Sequence, residues 1–199
     1  MPEPTLIAVS KVQPDERIAA ALGAGQTVFG ENRVQEAQGR WGERFAERRA
    51  ELELHLIGPL QTNKARDAVE LFDVIQTLDR EKLARALLKA ADTVGRMPRL
   101  LVQVNTGAEA QKAGVLVSGL GGFLDRLDTE YSLRPDGLMC IPPVDEPASI
   151  HFALLERLAK QHDLRELSMG MSADYGVAVP FGATMVRVGS ALFGARDYG

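Results

Sequence analysis

The chain has 199 residues, 45% of them hydrophobic, a length at which one domain buries a sufficient core without disulfides or metals. Its 23 basic and 27 acidic residues are well mixed and leave a formal net charge of -4, so no broad positive field is available to draw nucleic acid or anionic lipid. The single cysteine, Cys140, excludes an intramolecular disulfide, the histidines lack zinc-site spacing, and neither a signal peptide nor an apolar run of about 20 residues is present, which together point to a cytoplasmic protein.

In chain order the pattern predicts a strand over Leu6–Ser10, a helix over Pro14–Leu22, a strand over Thr27–Gly30 and a long helix over Val34–Glu51. A strand over Leu54–Gly58 precedes a helix over Gln61–Leu71, and a strand over Val74–Thr77 precedes a helix over Arg80–Val94. Strands over Leu100–Asn105 and Gly137–Ile141 are followed by helices over Val117–Asp128 and Pro147–Gln161. The chain closes with a strand over Leu167–Met171, a short helix near Ala173–Val179, and a strand over Met185–Gly189. Alternation of this kind implies a parallel sheet with crossover helices, and nearly continuous apolar strands imply burial on both faces. Eight strands favour closure into a single (β/α)8 TIM-type barrel spanning residues 1–199, with Gly23–Gly25 and Gly119–Gly122 as turn or cap signals and no linker or second domain.

In such a barrel, functional groups gather where the strands end at the C-terminal face. Lys11 directly follows Leu6-Ile7-Ala8-Val9-Ser10, where desolvation favours the free amine that a Schiff base needs, although taken alone the local pattern favours a solvated lysine ahead of Pro14. Gly189 and Ser190 open a short helical segment, Ala191-Leu192-Phe193-Gly194, whose free N–H groups suit an anion, and Ser172 and Ser168 can add hydroxyls to the same spot. A plain helix cap is the other reading of Gly189-Ser190. Arg187, two residues before Gly189, points to the barrel interior, where its guanidinium could meet either a carboxylate such as Glu31 or the ring nitrogen of a pyridine cofactor.

Several blocks, taken together and in order, resemble the pyridoxal phosphate homeostasis protein family. They are Ala8-Val9-Ser10-Lys11, Gly30-Glu31-Asn32 with Gln35-Glu36, and His55-Leu56-Ile57-Gly58-Pro59-Leu60-Gln61-Thr62-Asn63-Lys64. Ser168-Met169-Gly170-Met171-Ser172-Ala173-Asp174 and Val186-Arg187-Val188-Gly189-Ser190-Ala191-Leu192-Phe193-Gly194 complete the set. The resemblance implies a monomeric barrel similar to the N-terminal domain of alanine racemase, binding pyridoxal 5'-phosphate as an internal aldimine on the lysine that matches Lys11. It further implies Arg187 at the pyridine nitrogen, Ser172, Gly189 and Ser190 on the phosphate, and Asn32 and His55 lining the pocket. Two departures stand out. Only Met1–Thr5 precede the first strand, where family members usually carry a covering helix, so that helix is expected to be short or missing, and Ser190 stands where the family often has threonine.

An arginine at the ring nitrogen keeps it unprotonated and weakens the electron sink that carbanion chemistry uses. The chain ends at Gly199, just past the phosphate loop, leaving no room for a second domain with a catalytic base. The resemblance therefore implies a vitamin B6 carrier without turnover, with pyridoxal phosphate-dependent apoenzymes as the recipients to consider. The alternatives are a small racemase-like or lyase-like enzyme using Tyr175 or His55 as base, and a barrel for some other phosphorylated ligand. Met169, Met171 and Cys140 read as core, His151 and His162 as solvated surface, Lys64 as a surface lysine that could also guide phosphate, and Asp174 as a helix N-cap.

Overall fold

In the computed structural model, which describes residues 3–194, each of the eight apolar runs forms a parallel strand. These are β1 (Thr5–Val9), β2 (Val28–Glu31), β3 (Glu53–Leu56), β4 (Val74–Leu78), β5 (Arg99–Asn105), β6 (Gly137–Cys140), β7 (Glu166–Met171) and β8 (Met185–Val188). Each strand pairs with its neighbours in sequence, β4 with β5 included, and β1 pairs with β8 from Thr5↔Met185 to Ala8↔Val188, so the sheet closes on itself. The expected (β/α)8 barrel is what the chain builds. A two-residue strand, Val115–Leu116, beside the end of β5 has no counterpart in the sequence reading.

Parallel neighbours need crossovers, supplied by α1 (Asp15–Gly23), α2 (Val34–Ala37), α3 (Ala65–Leu71), α4 (Glu81–Val94), α5 (Leu120–Tyr131), α6 (Ala148–Gln161) and α7 (Tyr175–Ala178), with α8 (Ser190–Phe193) after β8. The long helix expected over Val34–Glu51 is instead three pieces. α2 widens into a π-helical stretch, Gln38–Arg44, and then tightens into a 3-10 turn over Ala46–Glu51. The cause lies in two consecutive inward side chains. Trp41 is fully buried, with its ring 4.8 Å from that of Phe29 and 5.6 Å from that of Phe45, and Arg40 is buried beside it. Arg40 and Trp41 both reach Glu31 Oε1, and the wider turn brings these neighbours closer to one face than the spacing of about 100° in a regular α-helix, while Gly39 and Gly42 lower the helix preference there.

The period-two pattern of the strands sends Ile7, Val74, Leu101, Met139 and Met185 into a small apolar layer inside the barrel, while the larger core lies between strands and helices. Two burial assignments are corrected. His151 is buried on the inner side of α6, its Nε2 3.3 Å from the Glu146 carboxylate, because an imidazole on a helix face can pack its ring inward and keep one nitrogen at the rim. Met171, read as core, stands exposed at the barrel mouth, whereas Met169 is fully buried.

Met171 is turned outward by an irregularity in β7. The register against β8 slips between Ser168 and Met171, and Gly170 takes φ +91, a conformation that side-chain-bearing residues rarely adopt. A Cβ at position 170 would also lie 2.7 Å from the Ala178 Cβ and 2.9 Å from the Tyr175 Cα. Gly170→Ala is therefore expected to destabilise the protein by about 2–3 kcal/mol, read as a lowered urea midpoint with an unchanged m-value.

Candidate functional site

The segment carrying Lys11 is pinned from beneath by a buried carboxylate. Glu31, at the end of β2, accepts on its Oε1 from the Ser10 hydroxyl at 2.7 Å, from Arg40 Nη1 at 2.7 Å and from Trp41 Nε1 at 3.0 Å. Burial pushes this carboxyl above its ordinary range, and Arg40, Ser10 and Trp41 pull against that push. Arg40 Nη2 also donates to the Gln13 carbonyl at 3.2 Å, and the Val12 N–H donates to Glu36 Oε1 at 2.8 Å. Between these anchors Val12 takes φ +59, an uncommon and strained choice for a β-branched residue, so contacts around it fix the turn that follows Lys11.

Lys11 stands half-buried on the wall of a cavity of about 280 Å³ at the C-terminal ends of the strands. Val9, Ile57 and Ile141 give the cavity apolar surface, and its polar surface comes from Lys11, Asn32, Ser172, Arg187, Gly189 and Ser190. Six of the eight residues expected at a site are thus together. Asn32 also borders adjoining cavities of about 610 and 290 Å³, and its side-chain Oδ1 is buried with no hydrogen-bond partner among the described residues.

His55 and Ser168 are not on that wall. His55 points into the barrel from β3, but Ile57, two residues on and facing the same way, takes the level at which the cavity lies, leaving the imidazole fully buried below. Ser168 sits before the Gly170 irregularity and is likewise fully buried, and its Oγ accepts from Arg187 Nη1 at 2.6 Å. It supports Arg187 rather than bordering the cavity.

Arg187 completes its fixed contacts with a bond from Nη2 to the Cys140 carbonyl at 2.8 Å, and its other guanidinium N–H groups have no acceptor among the described residues. Burial pulls its pKa below the ordinary value, yet an arginine holds its charge, so the group stays a donor only. The carboxylate the sequence left open as its partner, Glu31, is engaged by Arg40 instead. Across the cavity mouth the N–H groups of Gly189 and Ala191 converge on Ser172 Oγ at 3.1 and 3.3 Å, a spot where backbone donors seek an acceptor oxygen. A Cβ at Gly189 would lie 3.4 Å from the Cβ and the carbonyl oxygen of Val9, an ordinary van der Waals contact between the two strand ends.

The donor set has a definite chemistry. A primary amine, a buried guanidinium and convergent N–H groups around an apolar wall suit a flat, anionic ligand with an acceptor in its ring and an electrophile at its edge. Asp174 stands at the N-cap position of α7, but its carboxylate turns back to accept from the Met171 N–H at 2.6 Å, holding the Ser172 turn. Lys64 pairs with Asp67 at 3.1 Å on the wall of the 610 Å³ cavity.

Comparison with known proteins agrees with this geometry. A family model described as the alanine racemase N-terminal domain matches residues 1–197. A curated relative from Vibrio alginolyticus, named pyridoxal phosphate homeostasis protein, is 41% identical over 204 residues, covering 97% of this chain and 87% of the relative. The solved structure of PipY from Synechococcus elongatus PCC7942, determined with PLP bound, superposes with a TM-score of 0.85 at 41% identity, covering 98% of this chain and 94% of that one. Alanine racemase from Corynebacterium glutamicum shares the fold, with a TM-score of 0.70 at 20% identity, covering 98% of this chain and 57% of that one.

The clamp under Lys11 makes a direct prediction. Arg40→Met keeps much of the volume and leaves Glu31 without its cation, so it should lower stability by about 3–5 kcal/mol in urea unfolding. A loss below about 1 kcal/mol would mean that Glu31 does not depend on Arg40.

Proposed function

The chain belongs to the pyridoxal phosphate homeostasis proteins of the alanine racemase N-terminal domain family, and from that premise we propose that it holds pyridoxal 5'-phosphate in the cavity at Lys11 as a carrier rather than a catalyst. The observation that carries the reading is the convergence, on one cavity wall, of Lys11, Arg187 and the Gly189-Ser190 turn. Bound there, pyridoxal phosphate supplies an aldehyde that condenses with primary amines, a pyridine nitrogen and a phosphate.

Lys11 provides the amine, on a turn whose position Glu31, Arg40 and Glu36 fix. Ser172, Gly189 and Ser190 hold the phosphate by hydroxyl and backbone donors, and Asn32 offers its unpartnered amide oxygen at the cavity edge. Arg187 donates toward the ring nitrogen and has no proton to accept, so it does not keep that nitrogen protonated as a carboxylate would. Val9, Ile57 and Ile141 exclude water from one side of the ring.

The carrier reading is supported by what the wall offers for proton transfer. Its ionisable side chains among the described residues are Lys11 and Arg187. Tyr175 is exposed away from the wall, and His55 lies behind it, hydrogen-bonded on both ring nitrogens. The chain acts as one cofactor-binding barrel and as a monomer in the cytoplasm, and it hands the cofactor to apoenzymes that depend on it. No helix among the described residues is long and apolar enough to cross a membrane.

Incubation with pyridoxal phosphate, borohydride reduction and peptide mass mapping should place a covalent adduct on Lys11, and Lys11→Ala should lose both the adduct and the visible absorption band while keeping the far-ultraviolet spectrum of the fold. Amino acids added to the loaded protein in deuterated solvent should exchange their α-protons more slowly than about 1 per second. An adduct on another lysine, or turnover above that rate, would overturn the carrier.

A further inference from the structure

Beneath the cavity the barrel interior contains a line of buried polar side chains that binding a cofactor does not by itself require. Arg187 Nη1 donates to Ser168 Oγ at 2.6 Å, and the Ser168 hydroxyl donates to Gln76 Oε1 at 2.6 Å. Gln76 Nε2 lies 2.8 Å from His55 Nδ1, and His55 Nε2 lies 2.7 Å from Glu53 Oε1 at the other end of the barrel. Glu53 is held in turn by Arg99 Nη2 at 2.9 Å. Ser168, Gln76 and His55 are fully buried, so none of them can exchange these partners for solvent without moving.

The direction of every link is settled by the two ends. A guanidinium only donates, so Ser168 Oγ accepts from Arg187 and must send its own proton elsewhere, and Gln76 Oε1 is the acceptor it reaches. The amide of Gln76 then presents its NH2 to His55 Nδ1, which must accept, so the imidazole carries its proton on Nε2 and donates it to Glu53. The Glu53 carboxylate, which only accepts, closes the chain, and the hydrogen bond from His55 is the main reason its pKa lies below the ordinary range. All the donors point one way, from the cation at the cavity to the anion at the barrel floor.

We propose that Gln76 and His55 are positioning residues for Arg187: by committing the Ser168 hydroxyl as an acceptor, they fix the guanidinium so that its remaining N–H groups face the ring-nitrogen side of the cavity. The inference rests on the cofactor reading above and extends it to side chains two and three links from the cavity. Ser168 has one proton, and with that proton given to Gln76 the hydroxyl cannot offer it upward. The ring nitrogen of a bound pyridine therefore meets arginine donors held at a fixed angle, and no competing hydroxyl.

Removing the acceptor at position 76 should release this arrangement. In Gln76→Leu the Ser168 proton has no partner below it, the hydroxyl turns, and Arg187 loses a fixed acceptor. Gln76→Glu keeps an oxygen toward Ser168, while its second oxygen faces His55 Nδ1, which can take up a proton and keep Nε2–H on Glu53, so the chain retains its direction at Ser168.

The test uses the full chain loaded with ring-15N-labelled pyridoxal phosphate, with the pyridine 15N shift, the visible absorption maximum and the dissociation constant as readouts. Gln76→Leu is expected to move the 15N shift and the absorption maximum and to weaken binding about tenfold, and Gln76→Glu to return all three toward wild type. Ser168→Ala, a small change that removes the same link, should reproduce the leucine variant and serves if that variant fails to fold. A wild-type 15N shift and absorption maximum in Gln76→Leu or Ser168→Ala, with only a lowered melting temperature, would mean that the chain is core packing and overturn the inference. Loss of the Lys11 adduct from wild type itself would remove the cofactor reading and this inference together, whereas an unmoved spectrum with the adduct in place removes the inference alone.

Discussion

The pairing of β1 with β8 is the contact on which the site depends. Thr5 to Ala8 lie in register against Met185 to Val188, so the chain's first strand and its last end side by side at the barrel mouth. Lys11 leaves one strand end and Gly189-Ser190 leaves the other. An open sheet with the same strands would place these groups at opposite edges and assemble no cavity, so ring closure is a functional requirement here as well as a way to bury sheet edges.

Closure also creates an interior too polar in sequence to be a simple apolar core, with His55, Gln76, Ser168 and Arg187 buried inside it. Buried polar groups are unfavourable unless their hydrogen bonds are made, and a satisfied network in a low-dielectric interior is rigid. The barrel meets this demand along Ser168, Gln76 and His55 beneath Arg187, and in part around Glu31 beneath Lys11, where Oε1 takes three donors while Glu31 Oε2 and Arg40 Nε have no partner among the described residues. Both functional cations thus stand on fully packed supports. Precision of this kind comes from the shell behind the contact residues, and the strained Val12 turn is held in place by the same means.

The sequence made the skeleton legible because short, nearly continuous apolar runs between amphipathic stretches mark buried parallel strands, and all eight strands follow from that signal. Lys11, Arg187 and Gly189-Ser190 followed from strand-end position, which the barrel converts into proximity. What periodicity does not report is depth. His55 and Ile57 share a face, but only the residue nearer the strand end reaches the cavity, and Ser168 falls below it because Gly170 lets β7 slip in register. The broken helix over Val34–Glu51 was hidden for another reason. Its cause is a long-range demand, two neighbouring side chains drawn to one oxygen of Glu31, that no local propensity encodes. Gln76 was readable in principle, as a lone amide within the apolar run Val74-Ile75-Gln76-Thr77-Leu78, where a polar side chain must have a buried partner.

The electrostatics of the cavity connect this architecture to the way a carrier would work. Lys11 and Arg187 share one small enclosure, and Arg187 has no carboxylate partner among the described residues, because Glu31 is held by Arg40 and Glu53 lies at the far end of the hydrogen-bonded line. The Asp174 carboxylate acts on Arg187 against the pull of burial, so the guanidinium charge at the barrel mouth is partly offset from within the fold. The hydrogen-bonded supports hold the cavity wall in place, and Ser190 and Met171 stand exposed at its rim.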